Sequence, residues 1–433
     1  MTATHTPTLT EKRAFASHTP KWQRFQTSVA LSSVKTSESM HSSNVYQRQY
    51  SHVYANRLNE LKPRCWDNAP ENLKGVTRCQ RVLDLQEDEP SIVVGTLIKE
   101  FGDKDTFQDS KCRPNDVLVL EDESGRVNLK TDQHQLHEYA TGAIIAVQGT
   151  VRAGGLLHIE AFYPPAPMKF PSIEGDLKAS SNGHAPHVLL ISGLYCGDPN
   201  VSSMQRDMLL AYLQGHLSPD TSTDASKVCR VIVAGGSTYP KDAAFGAKEL
   251  DTFLAQTCAT GIPVDLMPGM DDPTTANWPQ RPIHSSLLKE SDAFGNNFLA
   301  KTPNPYASGL GEKYVLGTDG RNVTDLVQFL RKNDAPVSEL DALERTLLWG
   351  HLCPTGPDSV PTMPHAESDP MIIPYMPHLY FAGNCSKFAT KTVAVGETHV
   401  RLVCIPKFSA SAEAVLVNLE TLGCELLRFD DSC

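Results

Sequence analysis

Apolar positions along this chain follow two rhythms, and the change between them divides it. Between residues 46 and 165, short β-branched or apolar runs alternate with turn signals. Ile92–Ile98 (IVVGTLI), Val117–Leu120 (VLVL), Arg126–Leu129 (RVNL), Ala143–Thr150 (AIIAVQGT) and Leu156–Glu160 (LLHIE) each predict a strand. Asp-Glu-Ser-Gly at 122–125 and Ala153-Gly154-Gly155 predict hairpin turns. The polar stretch Tyr46 to Leu61 ahead of them is helix-like. After residue 186 the runs become nearly continuous: His187–Ser192, Arg230–Ala234 and Ile262–Leu266, then Lys313–Leu316, His378–Phe381 and Val400–Ile405. Amphipathic stretches separate them. Ser203–His216, with Met204, Met208, Leu209 and Tyr212 near one face, Lys241–Thr257 and Ser338–Trp349 predict helices. The last opens with Ser338-x-x-Asp341, a capping box with Asp in place of Glu or Gln.

These rhythms imply two architectures. Five short strands within about 70 residues suit a small Greek-key barrel of the OB type, and Gly95 marks the bend that closure needs. Strands alternating with helices imply βαβ units and a largely parallel sheet, hence an α/β sandwich. The Pro/Ser/Gly-rich stretch 164–186 reads as a linker, and 217–228 and 354–370 as surface loops. The predicted organisation is a tail over 1–45, a barrel with its preceding helical stretch over 46–170, and an α/β domain over 187–433. The tail holds 16 Ser/Thr and a local charge of 5 − 2 = +3, which predicts disorder. A mitochondrial transit peptide is the alternative, although only Arg13 and Arg24 supply arginine.

Charge and cysteine usage narrow the function classes. Over 433 residues, 39 Lys+Arg against 50 Asp+Glu give −11, which argues against a broad nucleic-acid-binding surface. The barrel strands are nearly free of aromatics and flanked by Glu121, Asp122 and Glu123, so they suit protein packing better than base stacking. Eleven cysteines without a C-x-x-C pair exclude a zinc ribbon and predict idle thiols in a reducing compartment. No apolar stretch of about 18 residues occurs, so no transmembrane helix and no membrane partner are expected. A soluble, intracellular protein is expected.

In an α/β sheet, chemistry sits beyond the C-terminal ends of the strands. Those ends carry Ser192-Gly193-Leu194-Tyr195-Cys196-Gly197, Ala234-Gly235-Gly236-Ser237, Met267-Pro268-Gly269-Met270-Asp271-Asp272-Pro273 and Ala382-Gly383-Asn384-Cys385-Ser386, with Gly350-His351-Leu352-Cys353-Pro354 before the Pro-rich loop. The order resembles the calcineurin-like phosphoesterases, whose carboxylates and imidazoles at these points hold two metals that activate water. On that resemblance, Gly193 and Tyr195 stand where the family's first Asp and His fall, and Gly236 at its second Asp. Met270 and Asp271 replace an Asn and a His, and Asn384 and Ser386 the last two histidines. Only His351 keeps a ligand-competent type. The resemblance therefore implies a degenerate site with no metal, no cofactor and no catalytic residue.

An OB barrel followed by an inactivated phosphoesterase domain resembles the B subunits of eukaryotic replicative DNA polymerases. Leu118–Ser124 (LVLEDES), Val264–Pro273 (VDLMPGMDDP), Leu316–Leu326 (LGTDGRNVTDL), Cys353–Asp358 (CPTGPD) and Pro377–Asn384 (PHLYFAGN) are similar to the small subunits of DNA polymerase delta in particular. That resemblance implies a nuclear, noncatalytic scaffold in DNA replication and repair synthesis. It would bridge the Cys-rich C-terminal domain of the catalytic subunit to a regulatory third subunit, and meet DNA and the sliding clamp only indirectly. The alternatives are the equivalent small subunit of polymerase alpha or epsilon, or a divergent metal-dependent phosphoesterase. Two further motifs yield less. Gln205–Tyr212 is faintly like a sliding-clamp peptide inside a predicted core helix, and Trp278 is either a partner anchor or a packing residue.

Overall fold

A computed structural model describes residues 29–30 and 49–429, except 72, 102–115, 131–135, 173–184, 218–224, 333–334, 366 and 396–397. The tail reading therefore lies outside the described residues, apart from a two-residue strand at Val29–Ala30, as do 173–184 of the linker and most of the 217–228 loop.

The first lobe starts with helix α1 (Ser51–Asn68), followed by strands β1 (Thr77–Cys79), β2 (Pro90–Glu100), β3 (Val117–Glu121), β4 (Arg126–Lys130), β5 (Ile144–Arg152) and β6 (Leu156–Tyr163). The order β1-β2-β3-β4-β6-β5, with β2 also paired to β5, closes strands β2 to β6 into the barrel that the sequence predicts. Closure depends on β2 serving two neighbours. Pro90 to Thr96 pair with β5 and Thr96 to Glu100 with β3, so the hand-over falls at Gly95–Thr96. A Cβ on Gly95 would lie 2.8 Å from the Glu121 carbonyl oxygen, which explains the glycine. In the β3–β4 turn, Asp122 Oδ1 accepts from Ser124 and Gly125 N–H, while its Oδ2 accepts from Val82 N–H.

The second lobe is a four-layer stack. Its first sheet comprises β7 (His187–Ile191), β8 (Val228–Ala234), β9 (Val264–Met267) and β10 (Leu299–Lys301), all parallel. The antiparallel pair β16 (Glu413–Asn418) and β17 (Cys424–Arg428) extends it beyond β7. Its second sheet is β11 (Tyr306–Leu310), β12 (Lys313–Thr318), β13 (Leu379–Cys385), β15 (Thr398–Pro406) and β14 (Ala389–Val395) in that order, with Val29–Ala30 on the outer edge of β11. Helices α2 (Ser203–Leu213) and α3 (Ala243–Ala259) cover the first sheet; α4 (Arg321–Val327) and α5 (Glu339–Leu348) lie with the barrel on the second. The continuous apolar runs follow from this. Alternate β7 and β8 residues face opposite ways: Leu189, Ile191, Val231 and Val233 toward the helices, Val188, Leu190 and Ile232 toward the other sheet. Ser338 caps α5 by accepting from Asp341 N–H, and its hydroxyl donates to the Asp341 carboxylate.

Several expectations need correction. Helix α1 runs to Asn68, through Pro63, rather than ending at Leu61. Met204 is exposed rather than on the packing face of α2, which buries Leu209, Leu210, Tyr212 and Leu213. Burial of Leu209 and Tyr212 also removes the clamp-peptide reading. Trp278 is fully buried and so is a packing residue. The 354–370 segment is not a surface loop, because Thr355, Val360, Thr362, Met363, His365 and Asp369 are buried. Helix α1 is the reason. One of its faces (Leu58, Leu61, Cys65) packs on Ile92, Val94, Ile144 and Ala146 of the barrel. Another clamps the segment: Tyr54 donates to Asp358 at 2.5 Å, and Arg57 donates to Asp369 Oδ2 (2.8 Å) and to the carbonyls of Pro354 (2.8 Å) and Gly356 (2.7 Å). Nor does 164–172 run free, since Ala166 N–H donates to the Arg64 carbonyl and Phe170 packs against the His378 ring at a tilt of 55°.

Candidate functional site

The ends of β7, β8, β9, β12 and β13 converge on a cleft of about 310 Å³. Tyr195, Gly236, Met270, Asp271 and Asn384 line it, together with Asp319, Arg321, Asp325 and Lys407. Its backbone is zipped shut: Gly193 N–H donates to the Gly235 carbonyl and Tyr195 N–H to that of Gly236. Asn384 organises the floor. It holds a left-handed backbone (φ 51°), donates its N–H to Ser192 Oγ at 2.8 Å, and donates through Nδ2 to the Asp319 carbonyl at 3.0 Å. Its amide oxygen lies against two glycines of φ 66°: a Cβ would approach it to 2.9 Å at Gly193 and 2.4 Å at Gly236. The space from which two carboxylates would have to project is filled by one amide.

The tyrosine and the aspartates in and around the cleft are engaged. Tyr195 donates its hydroxyl to Asp271 Oδ2 at 2.9 Å, and burial followed by this bond pushes the phenol above its usual range. Asp272 is buried, and its carboxylate accepts from the N–H groups of Gly269, Ser237 and Thr238 and from the Thr238 hydroxyl. Burial pushes it up to about 6 against these donors, which favour the ionised form. It fixes the turns after β8 and β9, as expected of an Asp-Asp-Pro turn. Asp319 is buried and raised by desolvation, and accepts from Met270 and Arg321 N–H. Asp325 accepts from the Thr355 and Ser359 hydroxyls at 2.6 and 2.5 Å.

Two of the sequence-predicted positions lie elsewhere. Ser386 donates its N–H and hydroxyl to the Glu339 carboxylate at the start of α5. His351 is buried behind α1, with Nε2 2.9 Å from Asp369 Oδ2 and Nδ1 accepting from Cys353 N–H. The one retained ligand type is therefore a neutral imidazole in a structural network. Burial, then the nearby Arg57, pushes it down to about 4. Among the described residues no group of three or more His, Cys, Asp or Glu side chains is placed to hold a metal. Gly193, Gly236 and Met270 offer no ligand, and Asp271 is bonded to a phenol, so the residues present do not fit a dinuclear centre. Asp319, Arg321, Asp325 and Lys407 are cleft residues that the strand-end reading missed.

Comparison with known proteins gives the family. Residues 49–162 match the family model for the DNA polymerase delta subunit OB-fold domain, and residues 188–390 that for the B subunit of DNA polymerases alpha and epsilon. The DNA polymerase delta small subunit of Oryza sativa subsp. japonica is 34% identical, covering 89% of this chain and 94% of its own. The chain belongs to the DNA polymerase delta small-subunit family. The Arabidopsis thaliana member is 33% identical over 88% of this chain and 91% of its own, and that of Saccharomyces cerevisiae 26% over 89% and 90%. A solved archaeal phosphodiesterase aligns with 56% of this chain and 98% of its own at 9% identity and a TM-score of 0.30. Membership in the polymerase delta small-subunit family makes the chain an accessory subunit of a replicative DNA polymerase. The barrel and sandwich have the fold expected of it.

Proposed function

We propose that this accessory subunit is noncatalytic and works as a nuclear scaffold. It would join the Cys-rich C-terminal domain of the catalytic polymerase delta subunit to a regulatory subunit, and meet DNA and the sliding clamp through those partners. The observation that carries the reading is Asn384, whose amide occupies the space that metal-binding carboxylates at Gly193 and Gly236 would need. A cleft relieved of metal chemistry no longer has to stay open and hydrated, and its surroundings become available for packing. The barrel supports a packing role too, because its strands are poor in aromatics.

The test is co-expression of the full chain with the catalytic subunit's C-terminal domain, followed by affinity purification, metal analysis and assay on a generic phosphodiester. A stoichiometric complex is expected, with no hydrolysis and no Mn, Zn or Fe attributable to this chain. Hydrolysis abolished by Asp271→Asn would overturn the noncatalytic reading. A chain that stays monomeric beside that domain would overturn the scaffold reading.

A further inference from the structure

The two long edges of the second sheet are built differently. An open edge presents unpaired N–H and C=O groups to any stray strand, so it needs charge, proline or a cover. On one side, β14 carries Lys391 and exposes Thr392 and Ala394, and its charge guards it. On the other side, β11 reads YASGL, with no charge and no proline, and all five residues are buried. Its cover among the described residues is Val29–Ala30, paired antiparallel with Val29 opposite Leu310 and Ala30 opposite Gly309.

The hairpin sets which groups face outward. Leu310 pairs with Lys313 across a two-residue turn, so these two residues exchange their own hydrogen bonds. Leu310, Ser308 and Tyr306 therefore turn their backbone groups toward β12, whereas Gly309 and Ala307 turn theirs to the open side. Gly309 meets Ala30 there. Ala307 is only 7% exposed and has no strand partner on that side among the described residues. A buried backbone group calls for a partner.

We propose that the outer edge of β11 is a strand-addition site, filled in cis by this chain's own N-terminal segment centred on Val29–Ala30. Ala30 would anchor it on Gly309, and Ala307 would be the next docking position in the same register. A strand laid on a buried, uncharged edge should itself lack charge and proline, and residues 26–34 (QTSVALSSV) lack both. The path of the chain favours a cis occupant. Tyr50, just before α1, donates to the Thr362 carbonyl; Thr362 bridges Trp278, and Gln280 bridges Asn304, two residues before β11. The chain thus re-enters the fold near this edge, and the 18 residues 31–48 can reach about 60 Å when extended.

The test is hydrogen–deuterium exchange of the full chain, read by mass spectrometry over Tyr306–Leu310. Ala30→Pro removes the N–H that the register aims at the Gly309 carbonyl, whereas Val29→Pro removes one that faces away from β11. Both substitutions lie ahead of α1, outside the two lobes. Exchange at Gly309 should rise about tenfold or more in Ala30→Pro and less than about twofold in Val29→Pro. Equal effects of the two substitutions, or no effect of either, overturns the proposal. Protection of β11 should also be independent of protein concentration over a roughly hundredfold range. Protection that grows with concentration would assign the edge to a second copy of the chain, and overturns it too.

Discussion

Asn384 holds three things at once: its own left-handed backbone, the Ser192 hydroxyl, and the space above Gly193 and Gly236. Restoring a single carboxylate should therefore harm the protein without reviving chemistry. Gly236→Asp places a side chain at φ 66° and a Cβ 2.4 Å from an amide oxygen. The backbone alone should cost about 1–2 kcal/mol, and displacing Asn384 adds to it. Urea denaturation should show the loss, while Mn²⁺ titration of the variant should show no binding; tight Mn²⁺ binding would mean that the amide yields easily. His351 gives a second prediction. Above pH 6.5 its imidazole is neutral in both the folded and unfolded states. Between pH 6.5 and about 4 only the unfolded chain takes up the proton, because burial and Arg57 exclude it from the folded one. Stability should thus fall as pH falls through that window, by about 3 kcal/mol in all. His351→Gln should flatten that part of the stability–pH curve, measured by denaturation at stepped pH; an unchanged slope would assign it to other groups. The site was half legible for a simple reason. Residues are readable where a strand end is placed correctly, as at Gly193, Gly236 and Asn384. Asp319 is missed because the Lys313–Leu316 run predicts an end at Gly317, two residues before β12 delivers its acidic side chain.

At the scale of elements, the readable strands are the apolar runs bounded by turn signals, whereas β1, β10, β11, β14, β16 and β17 are not predicted; the remaining errors cluster where a tertiary partner overrides a local signal. The helix-like stretch reads as far as Leu61, yet α1 continues through Pro63 to Asn68, since its faces are held by the barrel on one side and by residues 354–373 on the other. The Pro-rich run 354–370 reads as solvated, yet it is buried because Arg57 satisfies its carbonyls. Strand β14 (ATKTVAV) alternates weakly and is exposed on one face, so nothing local announces it; pairing with β15 makes it. Arg57 is the element-scale test. Its guanidinium, 1% exposed, serves one carboxylate and two carbonyls. Arg57→Ala would leave Asp369 charged and buried without its cation, and should cost about 3–5 kcal/mol. Arg57→Lys should recover little, because an ammonium cannot reproduce the planar fork. Recovery of near wild-type stability by Lys in guanidinium melts would show that charge alone suffices.

The two lobes differ in rhythm and fold but share one core across their junction. Barrel residues Val93, Leu118, Ile145 and Leu157 belong to the same buried cluster as Leu316, Leu343, Trp349, Tyr380 and Leu402 of the sandwich. Polar bonds cross with it. Lys99 Nζ donates to the Phe329 carbonyl at 2.7 Å, Arg345 pairs with Glu138 at 2.5 Å, and Tyr139 stacks on Trp349. A boundary drawn from composition near residue 170 is thus a boundary of topology rather than of packing. Domains that share a core should melt together, so a single calorimetric transition is expected, with tryptophan fluorescence and far-UV circular dichroism giving coincident midpoints. Gly142 tests the cause. It has φ 89°, and a Cβ there would sit 1.9 Å from the Pro354 carbonyl oxygen, in the contact that brings barrel and sandwich together. Gly142→Ala should push the lobes apart while leaving the interior of each unchanged. Its melting curve should then broaden or split, whereas a substitution inside one lobe, such as Leu189→Ala, should shift one transition to lower temperature without splitting it. A wild-type chain that already melts in two steps would mean that the shared apolar cluster does not couple the lobes, and that a partner must hold them in register.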